Sequence, residues 1–396
     1  MMKLAVIFES SPFDRKGLFN AVHNRVRHLL ATGECTIDVY CVHSRDNALT
    51  RRLRHNPSVP SVETVSIDDI EYKLMWYRFS ILDHILLEKL HVRPWLFNRF
   101  MMAKVGVLKG YDAIIAHSFT GALFAHKAHE LYGIPYYVTW HGSDVHTHPW
   151  RVPVILQDTK AVMDAAKCNF FVSKALMKAS DKITAKAGKE VLYNGVSEDF
   201  VELPAAEKST VRERYGLSPE DKVVAFVGNL VSVKNVLVLP DLFAKIASDF
   251  SGSLKFWIVG DGKLRASLES AFSQHGFDQI RFFGNVPSAD MPSIMNSIDL
   301  LVLPSLNEGL PLVCAEALRC GANVVGSDVG GIAEVIGKDN VAPLGDGFVD
   351  ALAAKAVSYL AARYAQIPSG VASQSLSPDF SWDRTAALEL SAYRTL

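Results

Sequence analysis

Short, uninterrupted apolar runs alternate along the chain with stretches whose apolar residues recur every three to four positions. In the amino-terminal half the runs fall at 4–8, 36–42 and 113–116, with a helix-type repeat over 18–30. A second series follows at 223–227, 254–259, 280–283, 300–303 and 323–325. Apolar runs of this length without polar alternation describe strands covered on both faces, and the intervening helices supply the crossovers that parallel strands require. The alternation predicts an α/β protein of two βαβ domains, each on a parallel sheet. Between the two series lies a polar stretch, 202–208, containing Pro204. The division is placed there, giving 1–203 as the first domain and 204–375 as the second. A Ser-rich stretch at 368–378 precedes a last helical pattern at 385–393, so 376–396 is set apart as a C-terminal helix. Ligands of open parallel sheets bind beyond the carboxyl ends of the strands. Functional residues are therefore expected in the loops after the apolar runs, facing a cleft between the two domains.

The loop after 300–303 carries the most specific chemistry. It reads Pro304-Ser-Leu-Asn-Glu308-Gly309-Leu310-Pro311, and a helix is predicted over 311–320, stopped by Gly321. The start of that helix leaves the N–H groups of Leu312 and Val313 without intrahelical acceptors and adds roughly half a positive charge beside the flexible Gly309. A phosphate suits such a place. Glu308, immediately before it, would repel a neighbouring diphosphate unless it had a neutral, hydroxylated group to accept hydrogen bonds from, and a sugar ring meets that need. Glu316 lies roughly 7–8 Å farther along at ~1.5 Å per residue, about the span from a diphosphate back to a ribose. The alternative is an ordinary helix-start charge followed by a solvated helix residue.

Other residues add weaker signals of the same kind. Lys234, in the loop after the first run of the second series, offers an ammonium that meets a diphosphate as a point charge; a plain surface lysine is the alternative. Gly260-Asp-Gly262 follows the run 254–259 and has the form of a Rossmann-type turn without its third glycine. His141-Gly142 follows Tyr136-Tyr-Val-Thr-Trp140, which places an imidazole at the carboxyl end of a buried strand, on the cleft side. A satisfied core histidine is the competing reading. His146 and His148 come soon after, but no third partner at metal-ligand spacing accompanies them.

Taken together, several pieces stand in a telling order. They are Ile134-Pro-Tyr-Tyr-Val-Thr-Trp-His141-Gly142, Val191-Leu-Tyr-Asn-Gly-Val196, Val227-Gly-Asn-Leu-Val-Ser-Val-Lys234-Asn, Trp257-Ile-Val-Gly-Asp-Gly262, Phe282-Phe-Gly-Asn-Val286, Asp299-Leu-Leu-Val-Leu-Pro-Ser305, the Glu308/Glu316 pair and Asn323-Val-Val-Gly-Ser-Asp-Val-Gly-Gly331. This order resembles the family 4 retaining glycosyltransferases, also called glycosyl transferases group 1, and the resemblance thins only between about 41 and 110. It implies the GT-B architecture, two Rossmann-like βαβ domains facing a cleft with a C-terminal helix returning to the N-terminal domain. It also implies transfer of a hexosyl or N-acetylhexosaminyl group from a UDP- or GDP-sugar to an acceptor hydroxyl, with retention and with no metal or other cofactor. By the same resemblance Gly17, Asn229, Lys234, Gly260, Val286, Glu308, Gly309, Leu310, Leu312, Val313 and Glu316 bind the donor, and His141, Lys234 and Glu308 are catalytic. Gly17 would let backbone approach the phosphates, His141 would touch the transferred sugar, and backbone near 283–286 would meet the base. Asn229 stands where the family usually has an arginine, so neutralisation of the leaving diphosphate falls to Lys234, the helix at Pro311, and Arg15 or Lys16. No protein nucleophile is assigned; the chemistry rests on positioning and on an acceptor deprotonated late by the departing phosphate oxygen. Two other classes stay open: a nucleotide-sugar epimerase of related fold, and a catalytically silent nucleotide-sugar-binding subunit.

Composition changes this picture little. A length of 396 residues with 49% hydrophobic content supplies two cores, and a net charge of -1 excludes a nucleic-acid binder by charge. The five cysteines, at 35, 41, 168, 314 and 320, show neither a disulfide framework nor zinc spacing, so a reducing cytoplasm is the expected location. The stretch 73–109 is both basic and aromatic. Amphipathic helices there could lie on the inner face of an anionic membrane beside a lipid-linked or envelope-polysaccharide acceptor, or the rings could pack a core.

Overall fold

The structure, a computed structural model, describes residues 1–13, 17–44, 62–77, 81–185, 188–277, 280–362 and 376–394. Two compact units result, one of 1–194 with 382–396 and one of 195–381. Both are Rossmann-like, the make-up of the GT-B fold.

The first unit is built on β1 (Met2–Glu9), β2 (Cys35–Ser44), β3 (Thr64–Ile67), β4 (Ile70–Tyr77), β5 (Ala113–His117), β6 (Tyr136–Trp140), β7 (Cys168–Phe171) and β8 (Lys189–Val191). Their order is β3-β4-β2-β1-β5-β6-β7-β8. β1 is flanked on both sides and its residues 4–8 have almost no exposure, as an unbroken apolar run requires. The strands are parallel except for β3, which pairs antiparallel with β4. This corrects the expectation of purely parallel sheets. Asp68 and Asp69 join the two strands at φ 47° and 62°, the left-handed conformation a two-residue hairpin needs. An Asp-Asp pair announces such a turn far less plainly than Asn-Gly.

The stretch 73–109 therefore opens on a strand rather than a helix, and most of its described aromatic rings have inward partners, whereas Lys89, Arg99, Lys104 and Lys109 are exposed. The rings of Tyr77, Phe97 and Phe100 pack on one another, and Phe97 and Phe100 also meet Phe124. Trp76 packs edge-on to His43 and donates from Nε1 to the Val62 carbonyl at 2.7 Å. Lys73 pairs with Asp38 at 2.6 Å and Arg93 with Asp158. Trp95 faces outward with the Arg99 guanidinium over its ring. Arg78 and Phe79 lie outside the described residues. Among the described residues no helix is long and apolar enough to cross a membrane.

The helix Trp382–Tyr393 belongs to the first unit and packs on Gly17–Ala31. Arg25 of the latter pairs with Glu389 at 2.9 Å, the two side chains being 1% and 0% exposed. Arg25 also donates to Asn194 Oδ1 and to the Leu192 carbonyl, and Tyr137 donates to the Ala392 carbonyl. A charge withdrawn from water this completely is tolerated because nearly every donor has an acceptor.

The second unit holds β9 (Lys222–Val227), β10 (Leu254–Val259), β11 (Ile280–Gly284), β12 (Leu300–Leu303), β13 (Asn323–Ser327) and β14 (Val341–Ala342), all parallel, in the order β11-β10-β9-β12-β13-β14. The unit begins at Gly195 and ends at Ser381, where the polar stretch had suggested 204 and 375. Val196 N–H donates to the Phe380 carbonyl at 3.1 Å. Asn296 donates to the Val201 carbonyl and accepts from Leu203 N–H. Those bonds tie 196–203 to the second unit. The polarity of 202–208 marks exposure, not separation.

Candidate functional site

In the second sheet the strand order reverses between β9 and β12, so the loops leaving these two strands open a crevice at the switch point. Lys234 comes from the first loop and Glu308 from the second. Their side chains meet, Nζ to Oε1, at 2.6 Å, with exposures of 22% and 10%. Ser305 Oγ donates to the same Glu308 oxygen at 2.7 Å, and Leu306 N–H donates to the Val233 carbonyl at 2.8 Å. The two loops are thus joined by backbone as well as by charge.

Glycines set how closely the neighbouring loops approach. Gly330, at φ 53°, lies against the backbone of Glu308, where a Cβ would collide. Gly260, at φ 122°, sits on the Gly228 carbonyl in the same way, and Gly262 on the backbone of Leu230. Gly260 N–H donates to Gly284 at 2.8 Å and Leu230 N–H to Asp261 at 2.9 Å. The Gly-Asp-Gly element is therefore a backbone-to-backbone clamp between the loops after β9, β10 and β11. Val286 is half-buried just beyond Gly284.

The helix over 311–320 is present as Leu312–Arg319, with Pro311 at the N-cap and no side-chain cap. Cys314 N–H reaches the Pro311 carbonyl, while Leu312 and Val313 precede any intrahelical acceptor. Gly309, Leu310, Leu312 and Val313 are all half-buried. Glu316 is half-buried and makes no hydrogen bond or ion pair among the described residues, and desolvation pushes its carboxyl up to about 7. A carboxylate held so, with no partner of its own, is disposed to accept from hydroxyl groups. Asn229 is exposed, and its side chain has no partner among the described residues.

The remaining predicted residues belong to the first unit. Gly17 is exposed at φ 24° and opens the helix Gly17–Ala31; Arg15 and Lys16 lie outside the described residues. His141 directly follows β6, as the apolar run implied. Its Nε2 lies 3.1 Å from Nδ1 of His117, which ends β5. Burial, with the Arg25 charge behind it, pushes His141 down to about 3, and His117 is likewise lowered by burial and by His141. Both rings are thus neutral, and one donates to the other. Asp144 fixes the turn by accepting from the N–H groups of His141 and Gly142 at 3.1 and 2.8 Å. Its own carboxyl is pushed up to about 6 by burial. His117 and Glu9 went unread, although each directly follows an apolar run, the same signal that picked out His141. Among the described residues no group of three His, Cys, Asp or Glu side chains could hold a metal ion, His146 and His148 included.

A family model described as glycosyl transferases group 1 matches residues 207–363, which take in the whole crevice. Over those residues the chain is similar to the glycosyl transferases group 1 family. The chain is 30% identical over 225 residues to a 2-deoxystreptamine glucosyltransferase of Streptomyces kanamyceticus, an alignment covering 53% of this chain and 57% of that enzyme. It thus spans little more than half the length of that curated relative. The fold is shared over the full length with sucrose-phosphate synthase from Thermosynechococcus elongatus, at a TM-score of 0.76 and 19% identity, covering 100% of this chain and 99% of that one. It is also shared with Anabaena HepE in complex with UDP-glucose, at a TM-score of 0.66 and 18% identity, covering 99% and 100%. The matched segment carries both loops that the Lys234–Glu308 pair joins.

Proposed function

We propose that this protein is a retaining, family 4, metal-independent glycosyltransferase that moves a hexosyl or N-acetylhexosaminyl group from a UDP- or GDP-sugar to an acceptor hydroxyl. A lipid-linked or envelope-polysaccharide precursor is the acceptor class we favour. The observation that carries the reading is the Lys234–Glu308 pair beside an uncapped helix start, with Glu316, unpartnered among the described residues, about one turn along. A diphosphate at that helix start would share Lys234, and Glu308 would then turn its free lone pairs to sugar hydroxyls. Glu316 would accept from the ribose. His141, held neutral, would hydrogen-bond the transferred sugar and would not act as an acid. The group 1 family match and a neighbour crystallised with UDP-glucose support a nucleotide-sugar donor.

The test is to incubate the protein with a panel of UDP- and GDP-sugars, following thermal stability and release of free nucleotide. A ligand at a hundred times its Kd raises stability by ~2.7 kcal/mol. Slow donor hydrolysis that persists in a chelator supports the proposal. An isomerised sugar without release would mark an epimerase, and stabilisation without turnover a silent binding subunit. Loss of turnover in chelator, restored by manganese, would remove the metal-independent mechanism.

A further inference from the structure

We propose that Ser305 is a positioning residue of the crevice: its hydroxyl holds Glu308 in place when an incoming diphosphate draws Lys234 away, and so keeps one carboxylate oxygen aimed at the sugar. This rests on the transferase reading above and names a residue to which that reading gives no part. Ser305 lies two residues past β12 and is 0% exposed, so no ligand touches it. Its Oγ donates to Glu308 Oε1 at 2.7 Å, and Lys234 Nζ meets the same oxygen at 2.6 Å. A carboxylate oxygen offers about two lone-pair sites, so these two donors occupy Oε1. Oε2 has no partner among the described residues. The protein thus fixes which oxygen is held and which is left for a ligand.

The two holders respond differently to a diphosphate. Lys234 is 22% exposed, and its ammonium is a point charge on a flexible stem for which phosphate oxygens compete with Glu308. Ser305 carries no charge and lies out of reach, so its hydroxyl stays on Oε1 after Lys234 has changed partner. A second cation in its place would also hold the carboxylate, but it would draw phosphate oxygens into the space left for sugar hydroxyls. The serine is itself anchored by backbone. Its carbonyl accepts from Ser327 Oγ, at the end of β13, and the backbone of Glu308 lies against Gly330. Neither contact uses Ser305 Oγ. The hold on the Glu308 side chain is therefore separable from the shape of the loop.

The probes are UDP-glucose, UDP-N-acetylglucosamine and GDP-mannose, with UDP and GDP as the sugar-free controls, on the full chain. Calorimetric titration gives the affinities, and released nucleotide gives the turnover of the donor that binds. Ser305→Ala should leave the affinity for the bare nucleotide as in wild type and narrow the gap between it and the nucleotide sugar. Donor turnover should fall about tenfold or more, as loss of a hydrogen bond to a charged group does. Added to Glu308→Ala, where there is no carboxylate left to hold, Ser305→Ala should change neither the gap nor the residual turnover further. The inference is overturned if Ser305→Ala turns over donor as wild type does, or if it loses bare nucleotide as severely as nucleotide sugar, which marks a residue that only shapes the loop. It is overturned equally if Ser305→Ala costs as much in the Glu308→Ala background as alone. Loss of turnover in Glu308→Ala with none in Ser305→Ala removes this inference and leaves the transferase reading standing, whereas a wild type that binds no nucleotide sugar removes both.

Discussion

Replacing Glu308 by Gln removes a charge without changing shape, and its consequences for nucleotide and sugar should run in opposite directions. In the free protein Glu308 neutralises Lys234 at 2.6 Å. Without that charge Lys234 is fully available to a diphosphate, so UDP should bind as tightly as in wild type or more tightly. Transfer should collapse, because the charged acceptor of the sugar hydroxyls becomes a neutral amide with one oxygen replaced by a donor; removing one preorganised stabilising group typically lowers turnover by about 10²–10³. Lys234→Ala should behave differently, weakening UDP itself by roughly 1.5–3 kcal/mol, the worth of a charge-assisted hydrogen bond. The pair is mostly but not wholly enclosed, so breaking it should cost less than the ~3–5 kcal/mol of a fully buried pair and more than the ~1 kcal/mol of a surface one. Calorimetric titration of UDP and measured transfer or donor hydrolysis, on both variants and the double variant, separate these terms. If Glu308→Gln loses UDP affinity as severely as Lys234→Ala while turnover stays near wild type, Glu308 is a phosphate-side structural residue and the argument fails.

Three further outcomes follow from the geometry. Glu316, raised from 4.5 to about 7 by burial, holds its proton longer in the folded chain than in the unfolded one. Its contribution is therefore complete below about pH 4.5 and is lost as pH rises through about 7, at most ~3 kcal/mol in all; thermal unfolding of Glu316→Gln should lack that part of the wild-type decline. Arg25→Met leaves Glu389 buried with the neutral Tyr393 hydroxyl in place of a cation, so the first unit should lose about 3–5 kcal/mol in chemical denaturation, with much of it recovered in Arg25→Met with Glu389→Leu. Gly330→Ala puts a methyl against the Glu308 backbone at a positive φ, and should abolish the thermal shift given by a nucleotide sugar, while Gly106→Ala, where a Cβ would meet nothing nearer than the Tyr132 hydroxyl at 3.8 Å, should leave it intact.

What could be read from the chain and what could not divides by sequence distance. β10 and β12 occupy the spans read for them, and the helix after Glu308 starts one residue later than expected, because each rests on an apolar run and its flanking Gly or Pro. The crevice was legible for the same reason, since Lys234 and Glu308 both lie just past strands whose loops must converge. The hairpin β3/β4 was not, because Asp68 and Asp69 carry no strong turn signature. Nor was the Arg25–Glu389 pair, whose members stand 364 positions apart on helices that read as ordinary amphipathic segments.

The same limit explains why Glu9 escaped notice. A crevice built from successive βα loops of one sheet leaves its trace in short motifs, because each of those loops directly follows an apolar run. A cavity whose carboxylate is held by Tyr77 from β4 and by Thr120 from the helix Ser118–Tyr132, and whose walls come from two further helices, has no compact motif. Each of its residues is chemically unremarkable until the fold sets it beside the others. The crevice of Lys234 and Glu308 is thus written along the sequence, whereas the setting of Glu9 is written across it.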